Sequence, residues 1–416
     1  MPRLPIVLKL LVVFASTLGA APPIAIPQTP QEVEVLAKEA EMDLDKAEEA
    51  LKKSPQDFIT AHNLMEDCFF KTFFLESMTM SSILVPSVVK ETAAKFVVQI
   101  KARYMAFLST LPKLSLARPL FSCVRGTAPV KSLPADRKIT TLNWNVCCFA
   151  GNLSLFFGGV RPWTERMDGI VQQIIDLNPD IVCLQEVFSE VAIDALYRGL
   201  KSNFAYFYLH IGPKEYSFDL EKLRRIPSGL FVASKYPLDE PFFYPYNVSK
   251  NETEPTRGYG FFMGNLFNRV CICTTHLQPG DEEKDREIRN NQLTAINEHT
   301  PKGHSTCIFA DLNIEYGSDE YKKSVESRFV NHYKGGKNEW TCCELKDAWF
   351  NPEQYSKSLL QGSLPLQRID AVLEIRRIKK LALGVKCQVV PLVRLDEPKN
   401  ALSDHNPLFV TITLPK

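Results

Sequence analysis

Cys307-Ile308-Phe309-Ala310-Asp311-Leu312-Asn313 passes from an apolar run directly into two polar positions, just after the basic turn Pro301-Lys302-Gly303-His304. A short run that is apolar on both faces cannot stand in water. It reads as a buried strand whose polar side chains collect where the chain emerges. Alternation along such a strand puts Asp311 and Asn313 on one face, about 6–7 Å apart. A carboxylate and an amide so placed suit one water and one oxyanion. Asp-x-Asn is common in loops, so its weight comes from other polar residues at strand ends: Asn145, Glu186, His276, Asp370 and the pair Asp404-His405.

Working outward, runs rich in Val, Ile, Phe and Cys recur at 139–146, 181–187, 229–234, 260–267, 270–275, 306–310, 369–375 and 408–414. Helical or loop segments lie between them, and the one carrying Met167, Ile170, Val171, Ile174 and Ile175 stops at Asn178-Pro179. Strands of this kind, several joined directly to one another, predict a layered α/β domain with two facing sheets.

Upstream the texture differs. Thr29-Pro30-Gln31-Glu32 has the form of a helix start, and Val33, Leu36, Ala37, Ala40, Leu44, Ala47 and Leu51 follow at helical spacing. A second helix, rich in Phe and Met, is expected from Ser54-Pro55-Gln56-Asp57 through Leu84, and a third after Pro86 through Phe107. Residues 31–110 therefore read as an α-helical segment, and the Pro-rich stretch 111–137 as a connector to a domain at 138–416. Before them, Leu4–Ala21 is apolar, carries Arg3 and Lys9, and ends in small residues. It reads as a secretory signal over 1–21 followed by a linker at 22–30, with an uncleaved anchor as the competing reading.

Composition narrows the partners. With 49 Lys and Arg against 48 Asp and Glu, the net charge of +1 speaks against broad attraction to nucleic acid. Eleven cysteines leave at least one outside any pair, and Cys147, Cys183, Cys271, Cys273 and Cys307 lie in expected strands as core packing. Cys271-x-Cys273-x-x-His276 has the wrong spacing for a zinc knuckle.

Taken in order, Leu142-Asn143-Trp144-Asn145, Leu184-Gln185-Glu186, Thr275-His276-Leu277-Gln278, Ala310-Asp311-Leu312-Asn313, Arg368-Ile369-Asp370 and Ser403-Asp404-His405-Asn406 resemble the endonuclease/exonuclease/phosphatase superfamily over residues 138–416. That superfamily comprises metal-dependent phosphoesterases built as a four-layer α/β sandwich. Within it the chain looks most like the secreted, magnesium-dependent neutral sphingomyelinases. The stretches that carry this are Trp163-Thr164-Glu165-Arg166-Met167-Asp168, Pro227-Ser228-Gly229-Leu230, Ser234-Lys235-Tyr236-Pro237-Leu238, and His276 followed by Arg289-Asn290-Asn291-Gln292. Glu186 precedes Val187-Phe188, where nucleases of the superfamily place a basic residue, and Thr256-Arg257-Gly258 has Arg where the sphingomyelinases more often have Lys. For the family's membrane-inserting aromatic hairpin, Phe242-Phe243-Tyr244 and Leu155-Phe156-Phe157 are the nearest candidates, and either suits a core.

The resemblance implies a chemistry. A phosphodiester is anionic and resists hydroxide until a cation neutralises a nonbridging oxygen. Mg²⁺, with Mn²⁺ as a substitute, prefers oxygen donors and retains waters, and the resemblance assigns it to Glu186 and Asn145 with Asp404 nearby. His405 is the natural base by its ordinary pKa, oriented by Asp370. Asp311 is expected to align the water, Asn313 to donate to the oxyanion, and His276 and Arg257 to contact phosphate. The expected partner is a phospholipid at a membrane surface, acted on outside the cytosol, with residues 31–110 open to a protein partner. Two readings compete: a nuclease or inositol-phosphate phosphatase of the same superfamily, and a non-catalytic adaptor working through the helical segment.

Overall fold

The computed structural model describes residues 30–53, 64–65, 68–69, 71–72, 75, 87–110, 115–117, 119–149, 153–213, 215–217, 227–246, 260–333, 339–376 and 383–415. The expected signal, nearly all of the linker, most of the second helix and Arg257 fall outside these residues.

In chain order the strands that build the sheets are β1 (Ser122–Arg125), β2 (Lys138–Cys148), β3 (Ile181–Val187), β4 (Tyr206–Leu209), β5 (Phe231–Ser234), β6 (Asp239–Pro245) and β7 (Gly260–Leu266). They continue with β8 (Val270–His276), β9 (Ser305–Asp311), β10 (Val330–Asn331), β11 (Asp370–Ile375), β12 (Gly384–Val389) and β13 (Leu408–Thr413). One sheet has seven strands in the order β12-β13-β2-β3-β5-β4-β1, and the other has six in the order β10-β11-β9-β8-β7-β6. β2 is parallel to β3, and β8 to β9; the remaining ladders of these two sheets are antiparallel. The sheets are therefore mixed.

Alternation sorts the side chains into layers. Ile181, Cys183 and Val410 from the first sheet meet Phe262, Phe309 and Val372 from the second in one buried cluster between the sheets. Leu142, Trp144, Val182 and Leu184 face outward, onto Met167, Ile170 and Ile174 of one helix and Ile193 and Leu196 of another. These helices are α4 (Trp163–Leu177) and α5 (Glu190–Leu200). On the far side, Cys271, Cys273 and Ile308 pack on Leu293 and Ile296 of α6 (Glu283–His299). Helix, sheet, sheet, helix is the four-layer sandwich expected. Each large apolar side chain closed off this way contributes about 1.5–3 kcal/mol.

Local rules set the helix ends. Ser189 caps α5 by accepting from the Ala192 amide at 3.4 Å. Asn178 ends α4 in the left-handed conformation, φ 47°, and Pro179 follows. The helical segment supplies α1 (Pro30–Lys53) and α2 (Ser87–Thr110). Their buried faces, Val33, Ala37 and Leu44 with Ala93, Val97 and Ile100, share a cluster with Phe149, Phe188 and Trp349 of the sandwich. Leu155, in the short α3 (Leu153–Phe157), belongs to the same cluster.

The sequence reading differs from the structure in places. The 111–137 stretch is more than a connector, because β1 within it forms an edge of the seven-stranded sheet. The strands β4, β6 and β12 have no counterpart among the expected runs. β6 opens on exposed Asp239-Glu240 and contains Pro241, and β12 alternates exposed with half-buried residues, so neither is continuously apolar. Phe242-Phe243-Tyr244 lies in β6, with Phe243 buried and Phe242 and Tyr244 against Phe261, so it is a packed strand.

Candidate active site

Toward one end of the sandwich the interior turns polar. Gln185 Nε2 donates to Asn143 Oδ1 at 2.9 Å and to Thr274 Oγ1 at 3.2 Å, and Asn143 Nδ2 donates across to the Ala310 carbonyl at 3.4 Å. Two residues further along β2, Asn145 Nδ2 donates to Asp311 Oδ2 at 2.9 Å, again from one sheet to the other. These bonds pair the buried donors of Gln185, Asn143 and Asn145, while Gln185 Oε1 has no partner among the described residues. Beyond them lie the polar ends of the strands.

Register explains which residues come together. In the six-stranded sheet His276 is level with Asp311, and Asp311 with Asp370. The Asp311 carboxylate lies at the centre: Oδ2 is 3.6 Å from His276 Nε2 and 3.8 Å from His405 Nε2, and Oδ1 accepts from the Asn313 amide at 3.0 Å. Glu186 Oε1 is 3.8 Å from His276 Nε2. Asn145, Glu186, His276, Asp311, Asn313, Asp370 and His405 thus form one connected set.

Asn313 departs from the sequence reading. β9 ends at Asp311, and Asn313 is left-handed, φ 50°, so it does not share a strand face with Asp311. Its Nδ2 donates to the Leu277 carbonyl at 3.0 Å and lies 2.9 Å from His276 Nε2. A carbonyl only accepts, so that end of the amide is the NH₂ and His276 Nε2 accepts from it. Expected as an oxyanion donor, Asn313 instead commits both amide hydrogens and fixes the His276 ring with its proton on Nδ1.

His405 is held from several sides. Its Nδ1 is 2.8 Å from Asp370 Oδ2, its carbonyl accepts from Trp144 Nε1 at 2.9 Å, and its amide donates to Ser403 Oγ at 3.2 Å. Ser403 Oγ in turn donates to the Asn145 carbonyl at 2.7 Å. The backbone amides of Ile369 and Asp370 both donate to Thr341 Oγ1 at 3.1 Å. Burial works against a charged imidazole, but Cys342, Asp370 and Asp404 around it prevail and hold its pKa well above the ordinary value. Burial raises the Asp404 carboxyl and pushes the Cys342 thiol up to about 12.

Three site residues without glycine's freedom have positive φ: Cys147 at 48°, Glu186 at 61° and Asn313 at 50°. Such backbone costs about 1–3 kcal/mol per residue and persists only where neighbours enforce it. Arg166, 3% exposed, does so for Cys147: Nη1 donates to the Val146 carbonyl at 2.9 Å and Nη2 to the Cys147 carbonyl at 2.7 Å, while Nη1 also reaches the Leu402 carbonyl. At Glu186, the Val187 amide donates to the Gly229 carbonyl at 2.8 Å. Gly229 has φ 76°, and a Cβ there would sit 2.5 Å from the Phe188 ring.

His276 and the Arg289–Gln292 stretch that follows it are joined by a structural reason. Arg289, 1% exposed, grips Glu320 with Nε at 2.7 Å and Nη2 at 2.8 Å, and its Nη1 holds the Gln278 and Gly280 carbonyls. Gln292 Oε1 accepts from the Gln278 amide at 3.0 Å. Together they clasp the loop that leaves His276. Arg166, Thr341, Ser403 and Cys342 were not singled out in the sequence as site residues, because hydroxyls, thiols and a buried helix arginine carry no periodic signal.

Among the described residues, two groups of ligating side chains close to within 4.8 Å: Cys342, Asp404 and His405, and Asp311, Asp370 and His405. Glu186 belongs to neither. The Asn145 amide turns its nitrogen to Asp311, and its oxygen accepts from the Cys147 amide at 3.1 Å. Burial, with the Asp404 and Glu186 carboxylates in its field, raises the Cys147 thiol well above its ordinary value. Oxygen donors with Glu186 15% exposed fit a hard divalent ion that keeps waters.

Comparison with known proteins agrees with this fold. Residues 142–363 match the model of the Endonuclease/Exonuclease/phosphatase family. A phospholipase C of Staphylococcus aureus is 25% identical over 194 residues, covering 42% of this chain and 59% of the relative. Sphingomyelinase C 1 of Leptospira interrogans is 25% identical over 224 residues, covering 50% of this chain and 37% of the relative. The crystal structure of sphingomyelinase C from Streptomyces griseocarneus superimposes with a TM-score of 0.49 at 19% identity, covering 66% of this chain and 99% of that one. The match spans less than two thirds of the length of these curated relatives. The family model covers more than half of the chain and takes in Asn145, Glu186, His276 and Asp311, so this chain belongs to the Endonuclease/Exonuclease/phosphatase family.

Proposed function

We infer that the protein is a divalent-metal-dependent phosphodiester hydrolase of the phospholipase C type, cleaving the headgroup of sphingomyelin or a related phospholipid. The observation that carries this is the His405–Asp370 pair at 2.8 Å with the Asp311 carboxylate 3.8 Å from the other ring nitrogen. Nδ1 donates to Asp370, so Nε2 of neutral His405 is left to accept a proton. A water between Nε2 and Asp311 Oδ2 is aligned by the carboxylate and loses its proton to the ring as it attacks phosphorus. Asp370 then stabilises the imidazolium and keeps the ring in place. His276 Nε2 accepts from Asn313, so it is the Nδ1–H of this ring that can donate to phosphate or the leaving oxygen. Mg²⁺ held by Glu186 and Asn145, with Asp404 beside them, supplies charge neutralisation of a nonbridging oxygen when bound.

A lipid substrate is favoured over nucleic acid by the surroundings of Glu186. Phe188 follows it by two residues and packs on Phe149 at 4.9 Å, and Phe149 stacks on half-exposed Phe157 at 4.7 Å. Of these rings Phe157 is exposed and offers an apolar contact to an acyl chain, and a net charge of +1 does little for a polyanion. Action outside the cytosol is inferred from the Leu4–Ala21 stretch. Purified protein given Mg²⁺ or EDTA and offered sphingomyelin liposomes, plasmid DNA and inositol phosphates in parallel tests the reading. Release of phosphocholine only with Mg²⁺ supports it; cleavage confined to DNA or to inositol phosphates replaces it.

A further inference from the structure

Cys342 has no part in the hydrolysis proposed above, yet the backbone fixes it against His405. The two residues form an antiparallel bridge. The flanking hydrogen bonds run from the Cys343 amide to the Asp404 carbonyl at 3.0 Å and from the Asn406 amide to the Thr341 carbonyl at 2.7 Å. Cys342 and His405 are therefore the non-hydrogen-bonded pair of this ladder, the kind whose side chains approach most closely. Cys342 is 8% exposed and His405 4%, while Asp404 is half-buried and keeps some contact with solvent. The sulfur, the Asp404 carboxylate and an imidazole nitrogen lie within 4.8 Å of one another.

We propose that Cys342, Asp404 and His405 form a second, thiolate-containing metal site that takes Zn²⁺ or a similarly soft divalent ion and, when filled, inhibits the enzyme by withdrawing the base. A thiolate with an imidazole and a carboxylate is a donor set for zinc, with a fourth position left for water. Mg²⁺ has no use for sulfur, so the hard ion at Glu186 and Asn145 and the soft ion here are chemically distinguishable. On binding, the Cys342 sulfur gains a metal bond and its thiol proton leaves to solvent. The other three-donor group shares the same ring. Asp370, 4% exposed, has one carboxylate oxygen on His405 and the other without a partner among the described residues, and with Asp311 and His405 it closes the other three-donor group. The His405 ring thus stands where two donor sets meet. The inhibition rests on His405 being the base; the binding does not.

Co²⁺ is the probe for binding, because thiolate ligation gives it a near-ultraviolet charge-transfer band and tetrahedral ligation strong visible bands. Full-length wild type should show both on adding Co²⁺, and Cys342→Ser, checked for its fold by circular dichroism, should lose the charge-transfer band. Cys123→Ser, on the exposed β1 edge, should retain it. Asp404→Asn, which keeps the thiol, should need at least about ten-fold more Co²⁺ to develop the charge-transfer band, a readout that the Mg²⁺ place beside Asp404 does not give, and covers the case of an unfolded Cys342 variant. A wild type without the band, or a band undiminished in Cys342→Ser, overturns the site. In phospholipid hydrolysis with Mg²⁺, Zn²⁺ should inhibit wild type at concentrations at least about ten-fold below those needed for Cys342→Ser. Equal sensitivity overturns the inhibition. A Cys342-dependent Co²⁺ band in a protein that hydrolyses no phosphodiester upholds the site and refutes the functional reading. Hydrolysis without the band does the reverse.

Discussion

His405 Nδ1 meets Asp370 Oδ2 at 2.8 Å although the two residues come from different sheets, Asp370 opening β11 and His405 lying in the loop before β13. The carboxylate that takes this place is thus not Asp404, the sequence neighbour of His405. As a base His405 must be neutral, and its raised pKa means that activity climbs as pH rises through that value. Asp370→Asn removes the charge that favours the imidazolium. The acid limb should move to lower pH and the rate should fall at least about ten- to a hundred-fold. A pH–rate profile at saturating Mg²⁺ measures both; an unmoved limb with an unchanged rate breaks the pairing.

Glu186→Gln keeps the shape of the side chain and removes its charge. Loss of transition-state stabilisation should amount to several kcal/mol, with the Mg²⁺ concentration for half-maximal rate shifted upward. The comparison to run is rate against Mg²⁺ for both proteins. Wild-type turnover and metal response in the variant would remove Glu186 from the site.

Arg166 ties the end of β2 to the loop before Asp404 through the Val146, Cys147 and Leu402 carbonyls. Arg166→Lys keeps the charge but loses the planar fork, leaving buried carbonyls without donors. Stability should fall by about 2–4 kcal/mol in urea unfolding, with activity falling alongside. An unchanged midpoint means the fork is dispensable.

Glu374, fully buried on β11, lies 3.0 Å from His332 Nε2 and 2.7 Å from Arg376 Nη2, and accepts from the Leu383 amide at 3.1 Å. Burial raises its carboxyl, but these donors outweigh that and hold the pKa at about 2, below the ordinary 4.5. A depressed carboxylate contributes stability that is full above the unfolded value and lost as pH falls toward the folded one. On the order of 3 kcal/mol should therefore disappear between about pH 4.5 and pH 2. Urea midpoints taken stepwise across that window should drop in wild type and stay flatter in Glu374→Gln. Parallel curves from the two proteins would refute the assignment.

The sequence by itself determined the strands that are apolar on both faces, β2, β3, β8, β9 and β11, because burial leaves its mark on every residue of such a run. It also determined which polar residues stand at or beside their ends, and Asn178-Pro179 as a helix stop. Edge strands such as β6 and β12 were hidden, since one exposed side admits charge and proline. Only the tertiary structure decided how the ends meet. Register set His276 level with Asp311 and Asp370, and the facing of two sheets brought Asn145 to Asp311. Neither is local: residues 166 positions apart touch at 2.9 Å because two separately patterned sheets share one core. The same holds for Asn313, whose left-handed turn redirected an amide that strand alternation would have placed beside Asp311, and for Cys342, which only a backbone bridge puts against His405.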